Sequence, residues 1–416
     1  MRAALPEAGH LHRGVSRRSI TIVGASLAGL RAAESLRRQE FDGPITLIGD
    51  ETHAPYDRPP LSKQFLAGEW DRDRLALTKP EKLSEFDLEF RLGTRATGFD
   101  LSTRRLSLSD GDDLEVDGLL IATGARCRTL PGTDGMEGVF VLRSIDDAEA
   151  MRAAFDAAPS RVVVVGAGFI GAEVAATARQ RGLEVTLIEA LPQPLGRVLG
   201  DEMGAVCADV HRDHGIDLRV GVGVDAVEAG RDGRVERVRL SDGSVVEAEV
   251  VVVGIGVIPN TEWLEGSGLE IDNGVVCDAT CLAAPGVTAA GDVARWPNQR
   301  FDEIMRVEHW DNAVEQGGHA AMRLLQDDDE ARPFTPVPWF WSDQYDRKIQ
   351  LAGRIRPDDE MQIVTGSVDE RRFAALYGRA GRLVGVLGFN RPRHVMQYKT
   401  LIQEGSSYAD ALAAEI

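Results

Sequence analysis

The chain has 416 residues, of which 43% are hydrophobic, enough for two or three packed domains. Its formal net charge of −19 argues against nucleic acids and anionic membranes as partners. No apolar run approaches the ~20 residues that a membrane helix needs, and residues 1–18 are polar and basic, unlike a secretory signal. We therefore expect a cytoplasmic protein with no membrane partner and a flexible leader at residues 1–18.

The four cysteines are Cys127, Cys207, Cys277 and Cys281, a number that fits a reducing cytoplasm. Three residues separate Cys277 from Cys281, and no histidine or second cysteine pair completes a zinc site. No C-x-x-C or C-x4-C pattern lies near the first glycine loop. The sequence therefore predicts neither a metal site nor a dithiol relay.

The first predicted unit begins with a buried strand at residues 19–25, followed by the glycine loop GASLAG (Gly24 to Gly29) and a helix to about residue 38. Ser26 stands where the G-x-G-x-x-G pattern has its second glycine, and its small side chain still permits a pyrophosphate to approach. The next strand, residues 45–48, leads to an acid for a ribose, either Asp50 or Glu51. Because Gly49 occupies the usual position of that acid, the register is open, and we favour Asp50.

Residues 161–189 carry the clearest pattern of the chain, and the rest is arranged around it. The β-branched run at 162–165 is typical of a parallel strand buried on both faces. Gly166, Gly168 and Gly171 follow it directly, so that the next helix would point its N-terminus at dinucleotide phosphates. The strand at 185–188 then delivers Glu189 to a ribose, where a carboxylate favours NADH because it repels the 2′-phosphate of NADPH.

The alternative for this stretch is a glycine-rich turn in another kind of α/β domain. The order of strand, loop, helix and acid favours the dinucleotide, and two such units predict two dinucleotides.

The remaining pattern predicts further strands at residues 119–124, 218–224, 235–240, 250–253 and 287–292. The last of these ends in Gly291-Asp292, which we place at the start of a helix, and another helix is expected near residues 309–325. After an acidic linker at 327–330, strands at 348–351, 361–365, 373–377 and 383–389 and a final helix indicate an antiparallel sheet. The predicted fold class is α/β, with two Rossmann-like dinucleotide-binding domains, one inserted into the other, and a C-terminal α+β domain.

Five further motifs carry a resemblance to a known family. They are YDRPPLSK at residues 56–63, LR at 142–143 with the acidic stretch 146–149, GIGVIPN at 254–260, RVEHWDN at 306–312 and WFWSDQ at 339–344. With the two glycine loops, they resemble the NADH-dependent ferredoxin reductases of bacterial oxygenase systems over nearly the whole chain after the leader. Ser26 and the long leader are the departures. The resemblance implies FAD in the first unit and NAD(H) in the second.

The resemblance also implies site residues. The predicted FAD site comprises Gly24, Ser26, Ala28, Gly29, Asp50, Arg58, Lys63, Ala96, Thr123, Gly124, Arg143, Gly291, Asp292 and Trp310. The predicted NAD site comprises Gly166, Gly168, Ile170, Gly171, Glu189 and Gly256. In this assignment Asp292 binds the FAD ribitol, and the helix near 309–325 points its N-terminus at the flavin pyrimidine.

Three residues are implied in catalysis. Lys63 would place an ammonium near flavin N5, Glu173 would pair with it near the nicotinamide, and Phe169 would cover the flavin until nicotinamide displaces it. The alternatives are that Arg58 and Lys63 are surface cations on a turn, and that Glu173 is an exposed glutamate in the first turn of a helix.

The implied domains are FAD-binding at 19–125 and 257–335, NAD-binding at 126–256, and a C-terminal interface domain at 336–416.

The expected reaction passes a hydride from NADH to FAD and then single electrons to a small [2Fe–2S] ferredoxin that feeds a cytochrome monooxygenase or a Rieske dioxygenase. Rubredoxin is an alternative acceptor. A signalling flavoprotein related to apoptosis-inducing factor and an NADH oxidase are alternative functions. We expect a monomer or weak dimer.

Charge suggests where the ferredoxin binds. Residues 336–416 carry 11 Lys and Arg against 10 Asp and Glu, a net charge of +1 that leaves −20 on the other residues. Small ferredoxins are usually acidic, so the least negative surface is the expected docking site. We predict docking near Trp339, Trp341, Arg354, Arg356, Arg391 and Arg393. The alternative is that the tryptophans pack a domain boundary and the arginines form internal ion pairs.

Overall fold

The first part of the chain folds into strands and two helices around the first glycine loop. The structure, a computed structural model, describes residues 17–416, so residues 1–16 of the predicted leader lie outside the described residues. The elements are β1 (Ile20–Val23), α1 (Leu27–Arg38), β2 (Ile45–Gly49), α2 (Pro80–Ser84), β3 (Leu88–Leu92), β4 (Ala96–Asp100), β5 (Arg105–Leu108), β6 (Asp113–Glu115) and β7 (Gly118–Ile121). The first predicted strand, helix and second strand are present.

The second part holds the other glycine loop. Its elements are β8 (Ala125–Cys127), β9 (Val139–Phe140), α3 (Ile145–Asp156), β10 (Val162–Val165), α4 (Phe169–Gln180), β11 (Val185–Glu189), α5 (Gly196–Asp213), β12 (Asp217–Val220), β13 (Val224–Ala229), β14 (Val235–Leu240), β15 (Val245–Glu247) and β16 (Val250–Val253). The prediction of one strand at 218–224 is wrong, because Gly221 turns the chain at φ +70° between β12 and β13. Helix α5 was not predicted, and Gly200 kinks it at φ +75°.

The third part returns to the first glycine loop. Its elements are β17 (Val257–Pro259), β18 (Val275–Val276), β19 (Leu282–Ala284), β20 (Val287–Ala289), β21 (Ala294–Asn298), β22 (Glu303–Met305) and α6 (Trp310–Leu325). The prediction that Gly291-Asp292 opens a helix is wrong. A single 3-10 turn covers Gly291–Val293, and the chain then enters β21, whose pairing with β18 and β22 fixes it as extended.

The last part is an antiparallel sheet with two helices. It comprises β23 (Trp339–Gln344), β24 (Arg347–Gly353), β25 (Glu360–Ser367), β26 (Arg372–Arg379), β27 (Arg382–Phe389), α7 (Pro392–Glu404) and α8 (Tyr408–Ala413). The sheet order is β23-β24-β27-β26-β25, and every neighbouring pair is antiparallel. The four predicted strands are present, and β23 adds an edge strand that the sequence pattern did not reveal.

Two sheets with a central parallel core explain how one unit is inserted into the other. The first has the order β19-β20-β7-β1-β2-β3, so strands from the first and third parts of the chain share one sheet. The second, β12-β11-β10-β16-β9, is built entirely from the part between them. In both sheets the strand before the glycine loop is central and fully buried, and residues of the two loops line one cavity. The predicted fold class is confirmed.

Candidate active site

The first glycine loop joins β1 to α1, and backbone packing explains two of its residues. Gly24 has φ +124°, and a Cβ there would lie 2.0 Å from the carbonyl oxygen of Ala122. A Cβ at Gly29 would lie 2.0 Å from the carbonyl oxygen of Gly24. Neither position accepts a side chain, because the loop must turn tightly and α1 must start close to the strand. Ser26 stands at the N-cap position and accepts a hydrogen bond from Arg58 Nε at 3.3 Å.

The second loop repeats this geometry between β10 and α4. A Cβ at Gly166, where φ is +97°, would lie 2.3 Å from the carbonyl oxygen of Gly254, and one at Gly171 would lie 2.0 Å from the carbonyl oxygen of Gly166. Gly168 differs, because a Cβ there would meet no protein atom within 4 Å. The fold therefore does not require glycine at position 168. A ligand that approaches the backbone closely would require it.

The acid after each second strand is held differently in the two units. Glu189 accepts hydrogen bonds from the backbone N–H of Ala167 at 2.8 Å and of Leu191 at 2.9 Å, which aim its carboxylate along the loop. The equivalent position in the first unit is Gly49, where a Cβ would lie 2.6 Å from that of Ala25. The first loop thus lies too close to its second strand for an acid at that point.

The structure separates the two candidates for the FAD ribose. The Asp50 side chain is 58% exposed, with its carboxylate 3.9 Å from Arg95. Glu51 is held instead by Arg58 Nη2 at 2.5 Å and by the hydroxyl of Tyr56. Asp50 is the freer of the two, and its assignment stays a prediction.

A single cavity of about 560 Å³ lies between the two loops. Most of the predicted site residues line it: Ser26, Ala28, Arg58, Lys63, Gly124, Arg143, Gly168, Phe169, Ile170, Gly171, Glu173, Gly256, Gly291, Asp292 and Trp310. The others, Gly24, Gly29, Asp50, Ala96, Thr123, Gly166 and Glu189, lie outside its wall. Among these, Thr123 exchanges hydrogen bonds with Asn260 at 2.9 Å, which ties β7 to the strand returning from the second unit.

The residues of the cavity fit a flavin dinucleotide. Asp292 faces the cavity from its 3-10 turn, and Arg143 Nη2 donates to it at 3.0 Å. The N-terminus of α6 opens into the same cavity. The side chain of its N-cap residue, His309, makes no capping hydrogen bond. His309 Nδ1 is buried without a partner among the described residues, and burial lowers the pKa of this histidine to about 4, so it is neutral. An uncapped helix and an unpaired nitrogen suit a polar ligand.

Trp310 begins α6, and its indole Nε1 donates to Asp57 Oδ1 at 2.7 Å. Burial raises the pKa of Asp57, although the Trp310 hydrogen bond and the charge of Lys63 oppose this. The bond fixes the tryptophan in the cavity wall. Asp57 was not predicted, although it lies inside the YDRPPLSK motif.

Lys63 and Glu173 form a buried ion pair at the centre of the cavity wall. The distance from Lys63 Nζ to Glu173 Oε2 is 2.7 Å, and the side chains of Lys63 and Glu173 are 11% and 3% exposed, respectively. Glu173 accepts from three more donors: Ser62 Oγ at 2.5 Å, Ser342 Oγ at 2.9 Å and the backbone N–H of Asp343 at 3.3 Å. Both alternatives for these residues fail on burial: Lys63 is not a surface cation, and Glu173 is not an exposed first-turn glutamate.

Aromatic side chains from α4 and β23 form another part of the wall. Phe169 packs against Phe340 with ring centroids 4.2 Å apart, and Phe340 contacts the His309 ring at 5.0 Å. Trp341 lies 6.2 Å from Trp310. Phe340 and Trp341 were missed because WFWSDQ was interpreted only as the start of the last domain. The alternation of buried and half-buried residues along this strand is visible only in the structure, because its first three residues are all aromatic and show no apolar–polar alternation.

Arg197 at the start of α5 also lines the cavity and is exposed. It was missed because the helix that carries it was not predicted.

The four arginines of the predicted docking surface do not share one environment. Arg354 and Arg356 lie 2.7 and 3.6 Å from the carboxylate of Glu303, so their charge is partly neutralised. Arg393 is exposed on α7, and Arg391 precedes the same helix. Trp339 and Trp341 stack at 5.2 Å. For Arg354 and Arg356 the internal ion-pair alternative therefore holds.

A cavity shared by two dinucleotide loops, with a buried lysine–glutamate pair, defines a flavin- and pyridine-nucleotide-dependent oxidoreductase. Comparison with protein families agrees: residues 18–317 match the pyridine nucleotide-disulphide oxidoreductase family, and residues 339–416 match the reductase C-terminal family. In the part of the chain that the structure describes, no helix is long and apolar enough to cross a membrane.

Known proteins narrow the class. The chain is 40% identical to rhodocoxin reductase of Rhodococcus erythropolis over 390 residues, which covers 93% of this chain and 90% of that protein. It is similar to the solved covalent complex of putidaredoxin reductase with putidaredoxin, with 34% identity, a TM-score of 0.90 and 96% of each chain covered. It is also similar to a ferredoxin reductase of Rhodopseudomonas palustris, with 38% identity, a TM-score of 0.88, and 95% and 97% covered. The chain belongs to the pyridine nucleotide-disulphide oxidoreductase family, among the FAD-dependent ferredoxin reductases that use NAD(H).

Proposed function

We propose that this chain passes electrons from NADH, by way of bound FAD, to a small iron–sulfur ferredoxin of an oxygenase system, and that it works in the cytoplasm. The observation that carries the proposal is the single cavity into which both glycine loops open and which Lys63 and Glu173 line. When bound there, FAD accepts a hydride from NADH and releases its electrons singly. The relatives named as rhodocoxin reductase and as a putidaredoxin complex support a ferredoxin as the acceptor.

The polar residues of the cavity bind and orient the cofactors. Asp292 presents a carboxylate to ribitol hydroxyls, and Arg143 keeps that carboxylate in place. In the second unit, Gly168 leaves space for a pyrophosphate, and Glu189, held just outside the cavity wall by the backbone N–H groups of Ala167 and Leu191, would accept hydrogen bonds from a ribose. Holding both partners in one orientation is the main contribution that a protein makes to hydride transfer.

Lys63 provides a fixed positive charge. Its side chain is only 11% exposed, and the bond to Glu173 stops the ammonium from turning toward solvent. In a cavity that excludes water, such a charge stabilises negative charge that develops nearby more strongly than a solvated one would. We propose that this is its role during reduction.

Phe169 controls access to the cavity. Its ring lies against Phe340 and forms part of the wall, so a nicotinamide must displace it to reach the flavin side. The two phenylalanines exclude water while no nicotinamide is present.

The domain boundaries are retained as proposals: 19–125 with 257–335 for FAD, 126–256 for NAD, and 336–416 for the interface. The two sheets with a parallel core support the division, since the first takes strands from both parts of the proposed FAD domain and the second takes none.

The proposed docking surface is narrowed to Trp339, Trp341, Arg391 and Arg393. Trp341 lines the cavity and stacks on Trp339, both being half-buried, and the arginines contribute positive charge in the only net-positive segment of the proposed domains. Because Glu303 already holds Arg354 and Arg356, these two provide less attraction for an acidic partner.

The test is reduction of cytochrome c by NADH with and without a [2Fe–2S] ferredoxin, with ferricyanide as a control for the flavin step. We expect fast cytochrome c reduction only with ferredoxin. Charge reversal at Arg391 and Arg393 should slow this rate about tenfold and reduce its salt dependence, whereas reversal at Arg354 and Arg356 should have a smaller effect. Equal rates with and without ferredoxin would contradict the proposed acceptor, and equal effects of both arginine pairs would contradict the docking surface.

A further inference from the structure

Strand β23 of the C-terminal sheet reaches into the cavity between the two dinucleotide units. Its side chains alternate, so that Phe340, Ser342 and Gln344 are buried and Trp339 and Trp341 are half-buried on the other face. Phe340 contacts Phe169, and Trp341 lines the cavity. Ser342, between these residues and the sheet, is fully buried. Its role is not explained by binding of either cofactor, because it does not line the cavity.

The Ser342 hydroxyl is oriented by a chain of hydrogen bonds. Gln344 Nε2 donates to Ser342 Oγ at 3.2 Å, and Ser342 Oγ donates to Glu173 Oε1 at 2.9 Å. Because the oxygen accepts from the glutamine, its proton is directed at the carboxylate. The backbone N–H of Asp343 donates to the same carboxylate oxygen at 3.3 Å.

The two oxygens of Glu173 therefore contact different parts of the molecule. Oε2 accepts from Lys63 and Ser62, which belong to the first unit, and among residues 17–416 Oε1 accepts only from β23. Glu173 itself is on α4 of the second unit. The C-terminal strand thus fixes the rotation of a carboxylate whose other oxygen holds the Lys63 ammonium.

We infer that Ser342 is a positioning residue for hydride transfer: through Glu173 it sets the place of the Lys63 ammonium and reduces the negative field of the pair at the flavin. This rests on the proposed roles of Lys63 and Glu173. Without the hydroxyl, Oε1 keeps one long bond, and more of its negative charge is left to offset the lysine. The positive field in the cavity becomes weaker as a result.

Two measurements on Ser342→Ala test the inference. The rate constant for flavin reduction at saturating NADH should fall about tenfold, the effect expected from a lost hydrogen bond to a charged group. The flavin midpoint potential, measured by spectroelectrochemistry without NADH, should shift to more negative values. FAD content should stay unchanged, since Ser342 does not touch the cavity.

Ser342→Thr keeps the hydroxyl and should restore both values, and Ser342→Cys covers the case in which alanine does not fold. Ser367→Ala, in β25 of the same sheet, is the matched control and should leave both values unchanged. If Ser342 acts through Glu173, the double variant Ser342→Ala/Glu173→Gln should be no slower than Glu173→Gln alone.

Lys63→Met separates failure of the inference from failure of the proposed function. If Lys63→Met leaves the reduction rate and the potential unchanged, the assignment of Lys63 is wrong. If Lys63→Met changes both values and Ser342→Ala changes neither, Ser342 only packs the strand and the inference is wrong. Full additivity in the double variant would also overturn it.

Discussion

The helix that follows each glycine loop has a different cover in the two units. Helix α1 is covered by α6, so closely that a Cβ at Gly317 would lie 2.4 Å from the carbonyl oxygen of Ala28. Helix α4 is covered by strand β23, through Glu173 and the contact between Phe169 and Phe340. A helix packed at backbone distance holds its ligand site permanently. A cover made of aromatic side chains can open, which suits a nucleotide that enters and leaves at every turnover.

The ribose acids and the central loop residues show the same difference. The first unit has Ser26 and Gly49 where the second has Gly168 and Glu189. Close contact with Ala25 explains why position 49 is a glycine, whereas no contact within the protein explains why position 168 is one. The first loop is thus shaped by its own packing and the second by its ligand. Substitutions that exchange or remove these features test the difference.

The largest expected effect is on the retained cofactor. Asp292→Ala should yield protein with less than about a tenth of the normal FAD and a loss of about 3–4 kcal/mol of ligand-linked stability, because a bound ligand stabilises only the folded state. Absorbance at 450 nm and thermal unfolding measure the two. Asp272→Ala, which breaks the surface pair with Arg295, is the control. Full retention of yellow cofactor after dialysis would contradict the role of Asp292.

The next prediction concerns Glu189 and the use of NADH, the nucleotide that enters and leaves at every turnover. Glu189→Ala should lower kcat/KM for NADH by about 10- to 100-fold, the loss expected for hydrogen bonds to a charged group, and relax the rejection of NADPH. Steady-state kinetics with both nucleotides measure this. Glu184→Ala, at an exposed glutamate just before β11, should change neither value. A wild type that uses NADPH as well as NADH would refute the assignment.

A smaller effect is expected when the central residue of one glycine loop is replaced by the residue found at that position in the other loop. Gly168→Ser should raise KM for NADH roughly tenfold, since the hydroxymethyl group occupies space that only a pyrophosphate needs. The unfolding temperature should not change, because the protein offers no collision at that position. Ser26→Gly, the reverse exchange, should leave FAD content nearly unchanged. A drop in stability without a change in KM would show that the fold itself needs Gly168.

The sequence was sufficient for both βαβ units, because β-branched runs, glycine spacing and Ala-rich helices are local signals. Through the resemblance to ferredoxin reductases, the sequence also predicted most of the residues that line the cavity. It could not show Phe340, which lines the cavity, or Ser342, which contacts Glu173 behind it, because both lie on a strand more than 150 residues after the helix they contact. The sequence also could not show that Glu303 forms ion pairs with Arg354 and Arg356, since this pairing depends on how β22 lies beside the C-terminal sheet.

Helix α6, which covers α1, and strand β23, which covers α4, contact each other at Asp311. The dependence of stability on pH tests this contact. Asp311 is in the first turn of α6, is 8% exposed, and accepts a hydrogen bond from the backbone N–H of Trp339 in β23 at 3.1 Å. Burial raises its pKa from 3.8 to about 7, with Lys399 opposing and Glu315 reinforcing the rise. Because the pKa is higher in the folded state, the neutral carboxyl favours folding below about pH 4, and this contribution is lost as the pH rises to about 7.

Asp311→Asn keeps a neutral acceptor for Trp339 at every pH. Relative to wild type, we therefore expect the variant to gain about 2–4 kcal/mol in the free energy of unfolding between pH 4 and pH 8, measured by urea denaturation of the holoenzyme. Asp327→Asn, at an exposed acid just after α6, should show no such gain. The gain requires that α6 and β23 remain packed on each other in the holoenzyme. If the difference between Asp311→Asn and wild type does not depend on pH, water reaches this carboxylate, and the two covers move independently.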